Sequence, residues 1–200
     1  MKEILIFFVA HWYLSLFFQT FFLHRYASHR AFTMNKFTER VFFVLTWIFQ
    51  GIDPRFTKDI PEWNWFDKMA RSWVSRIMWG ALYVAFYYNF ATEWWLWLLL
   101  PAQFLLSPIH GAIINWFAHK YGYINFKVGD TSKNFLPFDF LMMGESYHNN
   151  HHKHGNRAKF GGFRWHEIDP TYLVIKVLDK IGIIKINKYK EEKVPVKAVA

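Results

Sequence analysis

From Ile4 to Leu23 the chain reads ILIFFVAHWYLSLFFQTFFL, 20 residues without one charged side chain. At about 1.5 Å rise per residue, a helix of that length matches the roughly 30 Å hydrocarbon core of a bilayer. This run restricts the fold most, because backbone polar groups in lipid must be satisfied within the protein. The competing reading is a signal peptide, but QTFFLHR follows with no small-x-small cleavage site, which favours a retained span. The rest of the composition agrees. Phe, Tyr and Trp make up 22% of the residues, more than one soluble core of this size needs, and point to lipid-facing surface and interfacial belts. The net charge is +9 although mean hydropathy is +0.00, so apolar and polar stretches must be segregated. The absence of Cys excludes a disulfide-stapled domain, thiolate metal sites and cysteine nucleophiles.

Two further apolar stretches, near 74–90 and 94–114, flank a polar turn at Asn89, Thr92 and Glu93 and predict a helical hairpin. Pro101 and Pro108 should kink its second leg. Val41–Phe49 is apolar but too short to cross, which predicts an interfacial or buried helix. Three spans (near 4–23, 74–90 and 94–114) then leave the Lys and Arg clusters on one face, which the positive-inside rule makes cytoplasmic. Along the C-terminal part, basic residues alternate with acids and with the amphipathic stretch YLVIKVLDKIGII. That pattern fits a cytoplasmic face beside anionic lipid, and no nucleic-acid partner is expected. The expected fold is therefore all-α: one domain over 1–200, an integral, multi-pass membrane protein whose His-rich cap (24–73 and 115–200) carries the active face in the cytoplasm.

The ten His carry the chemistry. His24 and His29 bracket HRYASH directly after the first span, and His148, His151 and His152 form H-x-x-H-H in GESYHNNHHKHG. His119 follows Asn115 by one helical turn in NWFAHKYG. At positions i, i+3 and i+4 the last cluster shares one helix face, so its three imidazoles can aim at one point. His24 and His29 are about 140° apart on an α-helix, which suits flanking a pair of ions better than chelating one. Imidazole suits Fe, Zn, Cu and Ni. Glu145, three residues before His148, reads as a partner that orients a ligating imidazole. His11 lies about 20 Å along the helix from His24 and cannot share that site. His110 is expected to bond within the hairpin, His154 to be solvated or an outer partner, and His166 to cap or orient the last helix.

HRYASHR, NWFAHKYGYINF, GESYHNNHH and RWHEIDPTYLVIKVLDKIGII together resemble the membrane fatty acid desaturases of the acyl-CoA type. The resemblance runs from His11 to Ile184. It implies a helical membrane protein with a His-ligated non-haem di-iron centre and O2 as co-substrate. It further implies O2-dependent insertion of a double bond into a fatty acyl chain, with electrons from an external ferredoxin- or cytochrome-like donor. Carried over by residue, His24, His29, His119, His148, His151 and His152 would be iron ligands, and Asn115 would reach the metal through water. The acyl chain would lie in an apolar tunnel lined by Phe and Trp.

One departure from the family pattern is large. There is no His between His29 and His110, so a second H-x-x-H-H box is missing, in an apparent internal deletion near 51–53. Asp53, Asp59 and Glu62 are the acids nearest that seam and the candidates to fill vacancies. The expected function is acyl desaturation, with an acyl-CoA as the expected substrate, metal occupancy nearer one than two and little turnover. The alternatives are an inactive desaturase-like or metal-binding remnant, and a fatty acyl hydroxylase.

Overall fold

The computed structural model describes residues 1–51 and 63–189. Helix α1 (Lys2–Phe18) runs on without a break into a π-helical segment (Gln19–Ser28). Helix α2 (Lys36–Phe49) starts where the Asn35 side chain accepts from the Thr38 N–H, an N-cap that satisfies one of the free amides of the first turn. Helices α3 (Asn64–Arg71) and α4 (Trp73–Phe90) are separated at Ser72. A 3-10 turn (Trp94–Leu98) leads into α5 (Leu99–Phe104) and α6 (Leu106–Lys120). Two helices complete the cap: α7 (His148–Lys153) and α8 (Pro170–Lys180). Pro170 opens α8 and the Asp169 side chain accepts from the Tyr172 N–H, so the helix start is set by sequence.

Among the described residues, one helix is long and apolar enough to cross a membrane, Lys2–Ser28. Trp94–Phe104 and Leu106–Lys120 pass the same test together, bent by 64° at Leu105 between the two prolines. The predicted hairpin is thus present, with its second leg broken rather than gently kinked. Its first leg, α4, carries Arg76 and Asn89 and is not apolar enough to count as a span on its own.

The all-α expectation missed a small ribbon. Strands β1 (Phe32–Met34) and β2 (Ile184–Ile186) pair antiparallel, Phe32 opposite Ile186. Three residues a side carry too little alternation to be read in advance, and their pairing spans almost the whole sequence. The ribbon closes a core in which Phe21, Phe22 and Tyr26 of the π segment pack with Phe32, Phe43, Ile175 and Ile184. A second apolar cluster, Ile4, Tyr87, Leu96 and Leu100, joins the other end of α1 to the hairpin.

One buried ion pair ties the first helix to the last. Arg25 donates from Nη1 to Asp169 Oδ2 and from Nη2 to Oδ1, both at 3.0 Å, and also to the Ala158 carbonyl at 2.8 Å. Both side chains are fully buried, and the guanidinium lies 3.9 Å over the Phe160 ring. Planar two-pronged geometry with further hydrogen bonds is what makes such a pair tolerable away from water. Gly144 passes against it at φ +99°, where a Cβ would stand 2.5 Å from Asp169 Oδ1. Only glycine fits there.

Candidate metal centre

Six of the predicted ligands converge, in two groups of three: His24, His29 and His151 form the first, and His119, His148 and His152 the second. Two sequence expectations are corrected by this partition. His24 and His29 were placed on different faces by α-helical spacing, yet they share a group. The cause is the π segment, where the His29 N–H bonds the His24 carbonyl at 3.1 Å. An i→i+5 bond closes each π turn, so residues five apart stack on one face.

The second correction concerns H-x-x-H-H. The three imidazoles do not aim at one point. His148 and His152, four apart, pack at 4.1 Å between ring centroids, whereas His151 stands 4.5 Å from both His24 and His29. His151 and His152 are successive, about 100° apart around α7, so the helix serves one group from each side.

Asn149 and Asn150, between the ligands, face the other way and anchor the helix. The Asn149 side chain accepts from the Asn125 and Phe126 amides and donates to the Phe126 and Ser132 carbonyls. Asn150 accepts from Asn125 and Asn134 and donates to Glu167. Asn149→Leu, close in volume, is expected to cost at least about 2 kcal/mol through the buried amides and carbonyls it leaves unpaired. Thermal unfolding of the metal-free protein in detergent checks this, and an unchanged midpoint would refute it.

Carboxylates and hydroxyls fix the rings. Glu145 Oε2 meets His24 Nδ1 at 2.7 Å, and Thr20 donates to the other Glu145 oxygen. The reading of Glu145 as an orienting partner therefore matches the geometry. Although burial opposes its charge, the adjoining His24, Arg25 and Thr20 hold its carboxyl well below the usual range. Asp130 and Thr131 do the same for the second group: Asp130 Oδ2 meets His152 Nδ1 at 2.6 Å and Thr131 Oγ1 meets His119 Nδ1 at 3.1 Å. Sequence reasoning missed both, since an Asp-Thr step in a loop far from any His box gives no signal. Asp130→Ala is expected to weaken metal retention in the second group by roughly 10–100-fold and leave the first unchanged. Release of bound metal to a chelator, compared with Glu145→Gln, measures this; equal loss from both groups would contradict it.

The donor set suits a metal. Burial, reinforced by neighbouring imidazoles, pushes His29 down to about 4 and His148 to about 3, and holds His151 well below its ordinary value. At neutral pH these rings are uncharged, which metal ligation requires. His24 Nε2 faces His151 Nε2 at 2.9 Å, and His119 Nε2 faces His148 Nε2 at 3.2 Å. Nitrogens each about 2.1 Å from one ion stand roughly 3 Å apart, so both separations fit neighbouring ligands. Among the described residues, His148 and His151 each keep Nδ1 buried without a hydrogen-bond partner.

Asn115 lines the same cavity as the six His, one turn before His119 on α6. That cavity, about 1200 Å³, corrects the expected apolar tunnel. Trp47, Trp79 and Phe104 contribute, but Ser15, Gln19 and Gln50 line it too, and many Phe and Trp face outward instead. Gly51, the last described residue before the seam, is part of its wall. Asp53, Asp59 and Glu62 lie outside the described residues.

The remaining His belong to neither group, although His11 lines the same cavity. His11 contacts the Phe49 carbonyl, Tyr83 and Gln103. His110 makes no bond within the hairpin; its ring packs edge-on against Trp12 of α1, and both nitrogens are buried without a partner among the described residues. His154 meets the Tyr189 hydroxyl at 2.9 Å. His166 does not cap α8, since Asp169 does; it reaches Tyr123 instead.

The chain has relatives among known proteins. It is 37% identical over 79 residues to an sn-1 stearoyl-lipid 9-desaturase of Synechocystis sp., covering 40% of this chain and 24% of that one. An enzyme of the same name from Anabaena variabilis is 28% identical over 143 residues, 70% of this chain and 50% of the relative. The chain is a homologue of fatty acyl desaturases. An acyl-CoA 5-desaturase of Anemone leveillei is 38% identical over 71 residues, 36% of this chain and 22% of its own. The homologue thus spans half or less of the length of these desaturases. No family model matches it.

Proposed function

We propose that this desaturase homologue is a membrane protein of the fatty acid desaturase type, with two iron ions held by three imidazoles each and impaired turnover. The observation that carries this reading is the pair of His groups, each within 4.8 Å, on one cavity at the end of the apolar first helix. An all-imidazole donor set leaves bound iron a high effective charge. With O2, such iron supplies the oxidising power to remove hydrogens from unactivated methylenes, which no side-chain base can deprotonate.

The chain's own residues do the rest. Glu145 accepts a hydrogen bond from the Nδ1–H of His24, which leaves the Nε2 lone pair for the first position, and Asp130 does so for His152 at the second. Thr131 orients His119, and Asn115 serves the second position through water. Phe160 packs against His24 and His151 at 5.3 and 4.3 Å and excludes water from that side. The cavity takes the acyl chain, with the cap on the cytoplasmic face and an external redox protein delivering electrons. An acyl-CoA or an acyl lipid is the substrate class, as the relatives' names suggest.

A second reading is a metal-binding remnant. It is favoured by one observation, the absence of any His between His29 and His110. The test between the two is product formation, argued in the Discussion. A hydroxylase would be recognised by hydroxy rather than unsaturated products.

A further inference from the structure

Helix α8 has a second apolar face that nothing among the described residues covers. Its inner side packs into the core through Ile175 and Leu178, beside Phe43 and Ile184. On the outer side Leu173, Val177 and Ile181, at successive turns, are 56%, 58% and 60% exposed, with Val174 beside them. Lys176 and Lys180 border this stripe. An exposed apolar stripe edged by lysines is the pattern of a helix lying in a membrane interface.

The position of α8 agrees. Asp169 caps its first turn and holds Arg25, which stands near the end of the Lys2–Ser28 helix. The helix therefore starts at the level where that apolar helix ends. We infer that α8 lies flat in the bilayer interface, with Leu173, Val177 and Ile181 in the acyl boundary and Lys176 and Lys180 among anionic phosphates. This rests on the membrane reading above. A second copy of the chain is a poorer occupant, because one stripe on an 11-residue helix is far smaller than the roughly 800 Å² per partner of a stable interface. Arg25 neighbours His24, so an interfacial α8 also seats the first imidazole group at the membrane surface, within reach of lipid acyl chains.

The chain has no native Cys, so single labels report cleanly. The full chain would be reconstituted in phosphatidylcholine vesicles with and without phosphatidylglycerol, bearing an environment-sensitive fluorophore on Val177→Cys, Lys188→Cys or Ile6→Cys. The expected result is several-fold stronger quenching of the Val177 label than of the Lys188 label by nitroxide-bearing lipid, and the reverse with aqueous iodide. Phosphatidylglycerol should strengthen the contrast, and Lys176→Glu with Lys180→Glu should remove that gain. Lipid quenching at Ile6 with none at Val177 overturns the interfacial placement alone. No lipid quenching at Ile6 overturns the membrane reading beneath it. Protection of Val177 that persists in detergent and fades on dilution assigns the face to a second copy and also overturns the proposal.

Discussion

Iron supplied anaerobically under reducing conditions is expected to bind at two positions per chain, and His151→Ala to lose one of them. The sequence alone predicts occupancy nearer one than two, because a whole His box is missing. The even partition of the six His changes that expectation. Each position retains three nitrogens, His24, His29 and His151 in one and His119, His148 and His152 in the other. Three imidazoles completed by water are a sufficient donor set for a divalent ion. Removing His151 leaves two ligands in the first group and touches none in the second. Bound iron should therefore fall by about half, and His152→Ala should do the same from the other side. The double variant should retain almost none. Elemental analysis of the purified chains decides this. Loss of all metal from either single variant would mean that the groups do not bind independently, and unchanged metal would mean that they are not ligands.

The second large effect is on turnover. Expressed in a host lacking its own desaturase, the 200-residue chain is expected to yield little unsaturated fatty acid, and a version with a family-like H-x-x-H-H segment inserted between Gly51 and Asp53 to yield much more. Holding two ions is not the same as holding them at a fixed separation with the right open positions. Three ligands per ion leave several positions to water, and small displacements of reacting groups are costly in rate. The location of Gly51 on the wall of the shared cavity is what makes the insertion physically reasonable. Gas chromatography of the fatty acids reads the outcome. Abundant unsaturation from the short chain would show that six His suffice and would overturn this expectation.

The corrections share a pattern. Helical periods placed His24 and His29 on two faces because an α-helical period was assumed there, and placed His148, His151 and His152 on one face, which α7 keeps but turns toward two different groups. Around His24 the backbone is π-helical, and nothing in QTFFLHRYAS advertises it. The role expected of His166 was taken by Asp169, whose carboxylate serves Arg25, Phe160 and the first turn of α8 at once. Such a choice depends on what the fold brings alongside, and a local motif does not contain it.

By itself the sequence determined the apolar first helix, the hairpin after it, the start of α8, the identity of the six converging His and the orienting role of Glu145. Most of these are written in nearest-neighbour chemistry, such as an unbroken apolar run, an Asp-Pro start or a carboxylate within a His-rich stretch, although the ring that Glu145 orients is the distant His24. Tertiary structure alone decided how the six divide, through the π turn that stacks His24 on His29 and the placing of α7 between the two groups. It also decided that Asp130 and Thr131, from a distant loop, orient His152 and His119, and that Arg25 reaches Asp169 across 144 residues of chain. Contacts that far apart in sequence exist only after the core around Phe21, Phe43 and Ile175 has closed, so no local pattern could announce them.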